Sequence, residues 1–355
     1  MPSESDHIVA ETAARIFADL ADPQSVNRAL NGAWKERLWH ALSESGLPLA
    51  WMPDDLGGAG ASIVEGFEVL GAAGRVALAV PLAETLIAGW LLAQAGLNAP
   101  AGAMTVAPGR PNDRIQFHAG GTLSGQARAV PFARETEHIA VLADSDTGSV
   151  VALVKTADCH LSEGTNLAGE PSNAVTFDGV RACGHAPAPA GLDRMALMLM
   201  GAAVRSVQTA GALEAILARS TEYANERVAF ERKIGKFQAV QQNLARLAGE
   251  TAAALAVSTS AADTLGSAES LDDAVFLEVA SAKVRCAEAA AEGSAIAHQV
   301  FGAIGFTQEH VLHRFTLRML SWRDDFGNES WWAAELGRRV ARNGADAFWP
   351  LVASR

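Results

Sequence analysis

Residues 223–238 read YANERVAFERKIGKFQ, and residues 299–310 read QVFGAIGFTQEH. Each of these two stretches interrupts a long helical pattern, the first near Gly235 and the second near residues 302–305. On both sides, apolar residues recur every three or four positions, which is typical of amphipathic helices. Further breaks fall near residues 267–270 and at Gly327. We therefore predict a C-terminal bundle of four or five helices, which extends from about residue 190 to the end of the chain.

The N-terminal part is also predicted to be helical, from Ser5 to about Leu97. Its apolar residues have the same spacing: Val9, Ala13, Ile16 and Leu20, then Leu30, Trp34, Leu38 and Leu42. Gly46 occupies the place of a helix C-cap, and the stretch MPDDLGGAG at 52–60 predicts a turn. The next helix should cover about residues 63–74. We expect an all-helical first domain over residues 1–102.

Residues 103–189 change character and predict a small antiparallel β domain. Short β-branched or alternating runs are separated by turn residues; these runs are TLSGQARAV, HIAVLAD, SVVALVK and SNAVTFDGV. The run HAPAPAGLD then ends the strand pattern, because closely spaced prolines cannot continue a hydrogen-bonded ladder. The predicted fold class is therefore α+β: an N-terminal helical domain, a middle β domain over 103–189 and a helical bundle over 190–355.

Composition excludes several classes of function. The chain is 49% hydrophobic, and its 28 basic against 40 acidic residues give a net charge of −12, which repels a nucleic-acid backbone. The most apolar stretch, residues 195–204, is much shorter than the ~20 residues that span a bilayer, so we expect no membrane span. The N-terminus lacks the basic and apolar regions of a signal peptide, which favours a cytoplasmic protein. The three cysteines have neither disulfide-framework nor zinc-site spacing, and no metal site is predicted.

The order of the three domains, together with the two opening stretches, resembles the acyl-CoA dehydrogenase family. Residues 223–238 look like its Arg-x-x-Phe-Gly-x-x-Ile-x-x-x-Gln signature, which joins two bundle helices, and residues 299–306 resemble its Gln-x-x-Gly-Gly-x-Gly-Phe turn. His313-Arg314 follows at the family's spacing, and Leu56-Gly57-Gly58 with Glu68-Val-Leu-Gly71 fits the N-terminal domain. The resemblance covers most of the chain. It implies the same fold, FAD as cofactor and an acyl-CoA thioester as substrate.

The resemblance also implies that one subunit reaches across an interface to the FAD held mainly by its neighbour. The candidate FAD-binding residues are Arg227, Phe230, Phe237, Gln238, Gln299, Gly302, Ala303 and Asn328. A forked guanidinium at Arg227 suits a pyrophosphate, and the amides of Gln238 and Gln299 can bond to adenylate or phosphate oxygens. Taken singly, Arg227 also fits a surface cation near Glu226, Gln299 a solvated amide and Gly302 a helix C-cap. As a spaced set, they favour the cofactor role.

The family's catalytic base is absent from its usual positions. The reaction needs a carboxylate beside the flavin, usually a Glu followed by Gly-Thr after the His-Arg pair. Counting from His313-Arg314 puts that position at Phe326, and the alternative position on the first bundle helix falls on Gly201. Asp325, one residue away, is the candidate base, and Glu329 is a second one. Both also fit plainer roles, in a charged turn and in the first turn of a helix.

The β domain departs from the family as well. Where the family has a Thr-Glu-Pro-x-Ala-Gly-Ser-Asp loop, this chain reads Met104-Thr-Val-Ala-Pro108-Gly-Arg-Pro. Where the family has Trp-Ile-Thr, it reads Ala127-Arg-Ala-Val-Pro131-Phe132. Elements that would hold the chain's own flavin are thus eroded, whereas those that reach a partner's flavin survive. Even there Glu231 and Ala303 replace two glycines, and Glu231 would be unfavourable near a pyrophosphate unless it points to solvent.

This asymmetry resembles the non-catalytic partner chains of heteromeric acyl-CoA dehydrogenases, as in bacterial steroid-side-chain breakdown. The leading hypothesis is a cofactor-completing subunit of an FAD-dependent enzyme that introduces an α,β double bond into an acyl-CoA. The alternative is a self-sufficient homo-oligomer with a displaced base such as Asp325. A third is other flavin chemistry or pure scaffolding. The family implies electron-transfer flavoprotein as a partner. The acyl group and the number of subunits are left open by the sequence.

Overall fold

The computed structural model describes residues 8–29 and 31–353. The predicted helix start at Ser5, the N-terminal segment used in the localisation prediction and the apolar position Leu30 lie outside these residues. Five helices form the N-terminal part: α1 (Ile8–Leu20), α2 (Pro23–Arg28), α3 (Ala33–Glu44), α4 (Ile63–Arg75) and α5 (Leu82–Gln94). They lie in the region where the spacing of apolar residues predicts helices.

The helix boundaries have local causes. Gly46 has a φ of +73° just after α3, a left-handed conformation that glycine adopts without a Cβ penalty. A capping box starts α4, because the Ser62 side chain accepts from the Glu65 amide and the Glu65 side chain accepts from the Ser62 amide. Helix α5 is apolar on nearly all sides and almost completely buried, with Glu84 as its one charged residue. A helix of this kind lies in a core.

The middle segment is one eight-stranded sheet in the strand order β6-β7-β3-β2-β4-β5-β8, with β1 paired to β4. The strands are β1 (Met104–Ala107), β2 (Arg114–His118), β3 (Thr122–Pro131), β4 (His138–Ser145), β5 (Gly148–Lys155), β6 (His160–Ser162), β7 (Ser172–Arg181) and β8 (Gly184–Pro187). The prediction of a purely antiparallel sheet is wrong, because β4 runs parallel to β1 and, at one pair, to β2. The chain forms the β2–β3 hairpin between them and then re-enters beside β1 in the same direction. Sequence alternation does not encode that choice.

Up to residue 353, the C-terminal part contains six α-helices, one more than the upper limit predicted. They are α6 (Arg194–Glu226), α7 (Gln238–Ser267), α8 (Asp273–Phe301), α9 (Leu312–Trp322), α10 (Glu329–Asn343) and α11 (Ala345–Ala353). The predicted breaks near residues 235, 267–270, 302–305 and 327 all fall between helices. A two-stranded hairpin, β9 (Val228–Ala229) and β10 (Arg232–Lys233), joins α6 to α7. The α+β architecture is thus the one predicted.

Helix α6 is the central element of the bundle. By length and composition alone it could cross a membrane, but 94% of its most apolar window is buried inside the fold. A core helix of a folded domain meets the same criterion. The helix begins at Asp193, whose side chain accepts a hydrogen bond from the Ala196 amide. It packs against α4, α7 and α8, and it therefore connects the N-terminal helices to the bundle.

Candidate functional site

The two positions at which the family carries its base meet in space. The ring of Phe326 lies against Gly201 on α6: a Cβ built on Gly201 would stand 2.2 Å from Phe326 Cγ. Phe326 is 1% exposed, so its ring fills the volume between the turn and the helix. The two positions were located by separate alignments, and their contact supports both. Neither offers a group that can take a proton.

The loop after β1 closes the same place from the other side. The Phe326 amide donates to the Gly109 carbonyl over 3.0 Å, and Arg110 donates to the Asp324 carbonyl. The Phe326 carbonyl in turn accepts from Trp332 Nε1 over 3.0 Å. Both backbone polar groups of Phe326 are therefore bonded within the protein. The loop that holds a flavin ring in the family is here packed directly onto the turn.

Asp325, the candidate base, is part of a buried ion cluster. Arg205 Nε donates to Asp325 Oδ2 over 3.0 Å, and Arg205 Nη2 donates to Glu84 Oε1 over 2.5 Å. The third nitrogen, Nη1, donates to Gln208 over 2.7 Å. Burial lowers the pKa of Arg205, but the charges of Glu84 and Asp325 raise it by more, so the guanidinium stays protonated. The geometry favours a structural role for Asp325, and its role as a base stays a prediction.

Lys283 fixes the start of the same turn. Its side chain is buried, and Nζ donates to the Trp322 carbonyl over 2.5 Å. Burial lowers the pKa of Lys283 to about 7, although the Asp325 carboxylate acts in the opposite direction. A lysine that holds a single carbonyl needs no charge to do so. Residues 322–326 are thus held by side chains from α6 and α8.

Glu329 and Asn328 also have structural roles in this turn. Glu329 pairs with Arg323, and this hydrogen bond holds the pKa of Glu329 below its usual range although burial raises it. The Asn328 side chain accepts from the Trp331 amide over 2.9 Å and caps α10. Asn328 therefore lies in this turn and not with the other candidate FAD-binding residues. We call residues 322–329 the closed turn.

The remaining candidate FAD-binding residues lie at one end of the bundle. Arg227 is the C-cap of α6, Gln238 begins α7, and Gly302 follows α8. The rings of Tyr223, near the end of α6, and Phe301, at the end of α8, have their centres 4.6 Å apart, which places both motifs at this end. We call the set formed by residues 227–238 and 299–306 the exposed end.

The exposed end presents polar groups without partners. The side chains of Arg227, Gln238 and Gln299 are exposed and make no hydrogen bond or ion pair within the part of the chain that the structure describes. Two large aromatic residues accompany them, since Phe230 is 90% and Phe306 is 75% exposed. Exposed cations, amides and aromatic rings in one place are typical of a surface that binds another molecule.

The backbone of this end fits its motifs. Gly302 has a φ of +62° and caps α8, which is the C-cap role suggested by the sequence; its role in cofactor binding stays a prediction. Phe230 and Glu231 both have positive φ, at +52° and +63°, as a two-residue hairpin turn requires. Glu231 is exposed. Phe237 is partly buried beneath the Arg232 guanidinium, 4.0 Å from its ring centre.

A flavin dinucleotide fits these two regions differently. The exposed end offers a free guanidinium, two free amides and backbone that can approach a ligand closely, which suits a pyrophosphate and an adenylate held by another chain. At the closed turn, the Phe326 ring fills the space beside Gly201 and its amide is bonded to Gly109, so Phe326 offers neither a carboxylate nor a free amide to a ligand. The exposed end has the chemistry that suits the outer part of a dinucleotide, and the binding of FAD there stays a prediction. Among the described residues there is no cluster of possible metal ligands.

Comparison with known proteins indicates the same family as the sequence motifs. A sequence model of the acyl-CoA dehydrogenase C-terminal domain matches residues 191–339. The curated acyl-CoA dehydrogenase FadE27 of Mycobacterium tuberculosis is 29% identical, over 89% of this chain and 91% of that protein. The chain is thus similar to the acyl-CoA dehydrogenase family over most of its length. This confirms the resemblance carried by the two opening stretches and supports the prediction of an acyl-CoA dehydrogenase.

Solved structures share the acyl-CoA dehydrogenase fold. A chain of the ChsE4–ChsE5 complex from Mycobacterium tuberculosis matches with a TM-score of 0.85 at 24% identity, over 97% of this chain and 99% of that one. A chain of the Tcur3481–Tcur3483 steroid ACAD variant matches with a TM-score of 0.83, also at 24% identity, over 96% and 98% of the two chains. These matches confirm the α+β fold class.

Proposed function

We propose that this chain is a subunit of a heteromeric FAD-dependent acyl-CoA dehydrogenase and completes the FAD site of a catalytic partner chain. The observation that carries the proposal is the contrast between its two regions. Phe326 fills the place of the base and is bonded to the loop that would hold a flavin ring. Arg227, Gln238 and Gln299, in contrast, are exposed and unpaired.

The reaction divides between two chains. Dehydrogenation of an acyl-CoA removes a proton from the carbon next to the thioester, and FAD, when bound, would supply the hydride acceptor for the following carbon. In the proposed assembly, the partner supplies the carboxylate that takes the proton. This chain contributes binding: Arg227 pairs with the pyrophosphate, and Gln238 and Gln299 bond to the adenylate end. Phe230 and Phe306 cover apolar surface of the partner and exclude water from these contacts.

The relatives support a partner and a bulky substrate. The ChsE4–ChsE5 complex and the Tcur3481–Tcur3483 structure each carry the names of two different proteins. The Tcur3481–Tcur3483 structure is called a steroid ACAD. We propose that this chain likewise assembles with a related, unlike chain, and that the acyl group is bulky, such as a steroid-derived one. Electron-transfer flavoprotein is the electron acceptor that the family implies. The net charge of −12 disfavours nucleic acid as a partner.

The alternative function is a self-sufficient homo-oligomer with Asp325 as base. In its favour, the Asp325 side chain is 15% exposed and adjoins the family's base position. Against it, Asp325 Oδ2 accepts from Arg205, and Arg205 has two further buried partners. Asp325 would have to leave this pair, and Phe326 would have to move, before a substrate carbon could approach. The heteromeric subunit is therefore the better supported function.

Purification with and without a partner tests the proposal. The chain should be expressed alone and together with an acyl-CoA dehydrogenase chain that has an intact Thr-Glu-Pro loop and Glu-Gly-Thr, preferably one from a neighbouring open reading frame. We expect the lone chain to be colourless and inactive, and the pair to contain one flavin per two unlike chains. Flavin binding and acyl-CoA oxidation by the lone chain would establish the homo-oligomeric alternative.

A further inference from the structure

A cavity lies where the three structural regions of the chain meet, away from the closed turn. Its volume is about 350 Å³, which is at the lower end of the range for small-molecule sites. Val26, Trp34 and Lys35 line it from the N-terminal helices, and Arg314 and Arg318 line it from α9. Arg134 and the loop of residues 168–171 line it from the β domain.

The charges in this cavity are unbalanced. Four basic side chains line it, and only two acidic ones do, in a chain whose net charge is −12. Both acids already have partners: Glu135 pairs with Lys35 over 3.0 Å, and Glu170 pairs with Arg318 over 2.7 Å. The second oxygen of Glu170 accepts from Asn166 over 3.0 Å. No carboxylate of the cavity is therefore left for the other two arginines.

Arg314 and Arg134 are those two arginines. Neither guanidinium makes a hydrogen bond or an ion pair with the residues that the structure describes. The Nε atom of Arg314 is buried without a partner. Burial lowers the pKa of Arg314 to about 10; the positive charge of Arg318 acts in the same direction, and the Glu170 carboxylate acts more weakly in the opposite one. A partly buried cation without a counter-ion costs free energy, which an anion in the cavity would recover.

We propose that this cavity binds a small phosphorylated molecule whose phosphate group contacts the guanidinium groups of Arg314 and Arg134. Two unpaired positive charges match a phosphate dianion, whereas a single carboxylate would neutralise only one of them. The planar fork of arginine suits phosphate oxygens. The site contains none of the residues of the exposed end or of the closed turn, so it is independent of the proposed dehydrogenase function.

Calorimetric titration of the full-length chain with inorganic phosphate tests this site. We expect saturable binding to the wild type that is at least ~10-fold weaker in Arg314→Gln, since hydrogen bonds between charged groups are among the strongest in proteins. Arg134→Gln, at an exposed position, should also weaken binding. Arg37→Gln is the matched control, because Arg37 is an exposed arginine of α3 that does not line the cavity. It should bind phosphate like the wild type.

Two further titrations distinguish the class of ligand. Sodium chloride at matched ionic strength should give no saturable signal, and acetate should bind at least ~10-fold more weakly than phosphate. Equal binding of acetate and phosphate would overturn the phosphate assignment. Equal binding by the wild type and both arginine variants would overturn the site itself. Arg314→Lys retains the charge without the fork, and Arg134→Gln changes only a surface side chain, so the test does not depend on Arg314→Gln being folded.

Discussion

The closed turn and the exposed end differ in how their polar groups are satisfied. In the closed turn, Asp325, Glu329 and both backbone groups of Phe326 have partners inside the chain. At the exposed end, Arg227, Gln238 and Gln299 have none among the described residues. Burial forces internal pairing, because an unsatisfied buried polar group costs about 1–3 kcal/mol. Surface groups are free of that demand, so their clustering with exposed aromatic rings indicates binding to a second molecule.

The largest expected effect is on the free energy of unfolding, through the buried ion cluster that holds the closed turn. Arg205→Met leaves Glu84 buried without its counter-ion, and we expect the free energy of unfolding to fall by about 3–5 kcal/mol in urea titrations. Arg75→Met is the control, because Arg75 pairs with Glu214 at the surface and should cost less than ~1 kcal/mol. Similar losses in the two variants would show that the buried cluster does not hold this region together.

The next prediction concerns the exposed end. Arg227→Ala should weaken flavin retention in the assembled complex by about 10- to 100-fold, because charge-assisted hydrogen bonds to a phosphate contribute ~1.5–3 kcal/mol. The thermal unfolding of the lone chain should be unchanged, since the Arg227 side chain is exposed and has no partner among the described residues. Bound flavin is measured by its absorbance after gel filtration. Arg342→Ala removes another exposed arginine and should retain flavin normally; a loss there equal to that of Arg227→Ala would refute the assignment.

A pH dependence follows from Lys283. Its folded-state pKa of about 7 lies below the 10.5 of a free lysine, so between these values the unfolded chain binds one more proton than the folded one. The free energy of unfolding should therefore rise with pH in this window, by at most ~1.4 kcal/mol per pH unit. Urea titrations at pH 7.5 and 9.0 should show this rise in the wild type and in Lys155→Met, whose lysine is exposed. Lys283→Met should lose most of it.

The smallest expected effect is on turnover. In the assembled complex, Asp325→Asn should change kcat less than ~2-fold, because the partner's carboxylate takes the proton and the asparagine oxygen can still accept from Arg205. Loss of a true general base costs on the order of a hundredfold or more. Steady-state assays with an acyl-CoA substrate separate these outcomes easily. A hundredfold loss of kcat would show that this chain supplies the catalytic base.

Much of the fold could be predicted because it rests on local patterns. Helical spacing placed α1, α3 and α4, and the breaks near residues 235, 302–305 and 327 fall between helices. The parallel pairing of β1 with β4 was missed, since it depends on where the chain returns after the β2–β3 hairpin. The domain limits at 102 and 189 stay predictions, although the strands begin at Met104 and end at Pro187.

The candidate site was only partly readable. Motif counting located Phe326 and Gly201, but it could not show that the ring fills the space between them. The cluster of Arg205, Glu84 and Lys283 was missed altogether, because charged residues are usually solvated. One signal was present: Glu84 is the single charge in the apolar run LAETLIAGWLLAQ, and such a residue needs a buried counter-ion. The cofactor roles of the exposed residues stay predictions.

The contact between Phe326 and Gly201 imposes an order on any return to self-sufficient catalysis. No side chain can be added at Gly201 while the phenyl ring stands 2.2 Å from the position of its Cβ, so the ring must be lost first. Truncating Phe326 alone opens a cavity and costs about 3–5 kcal/mol. A glutamate at position 326 would be a buried acid without a partner. The backbone amide of this residue already donates to the Gly109 carbonyl and is not free to stabilise it. Every first step is thus unfavourable, so a substitution at Gly201 or Phe326 alone is expected to destabilise the chain before it could restore a base.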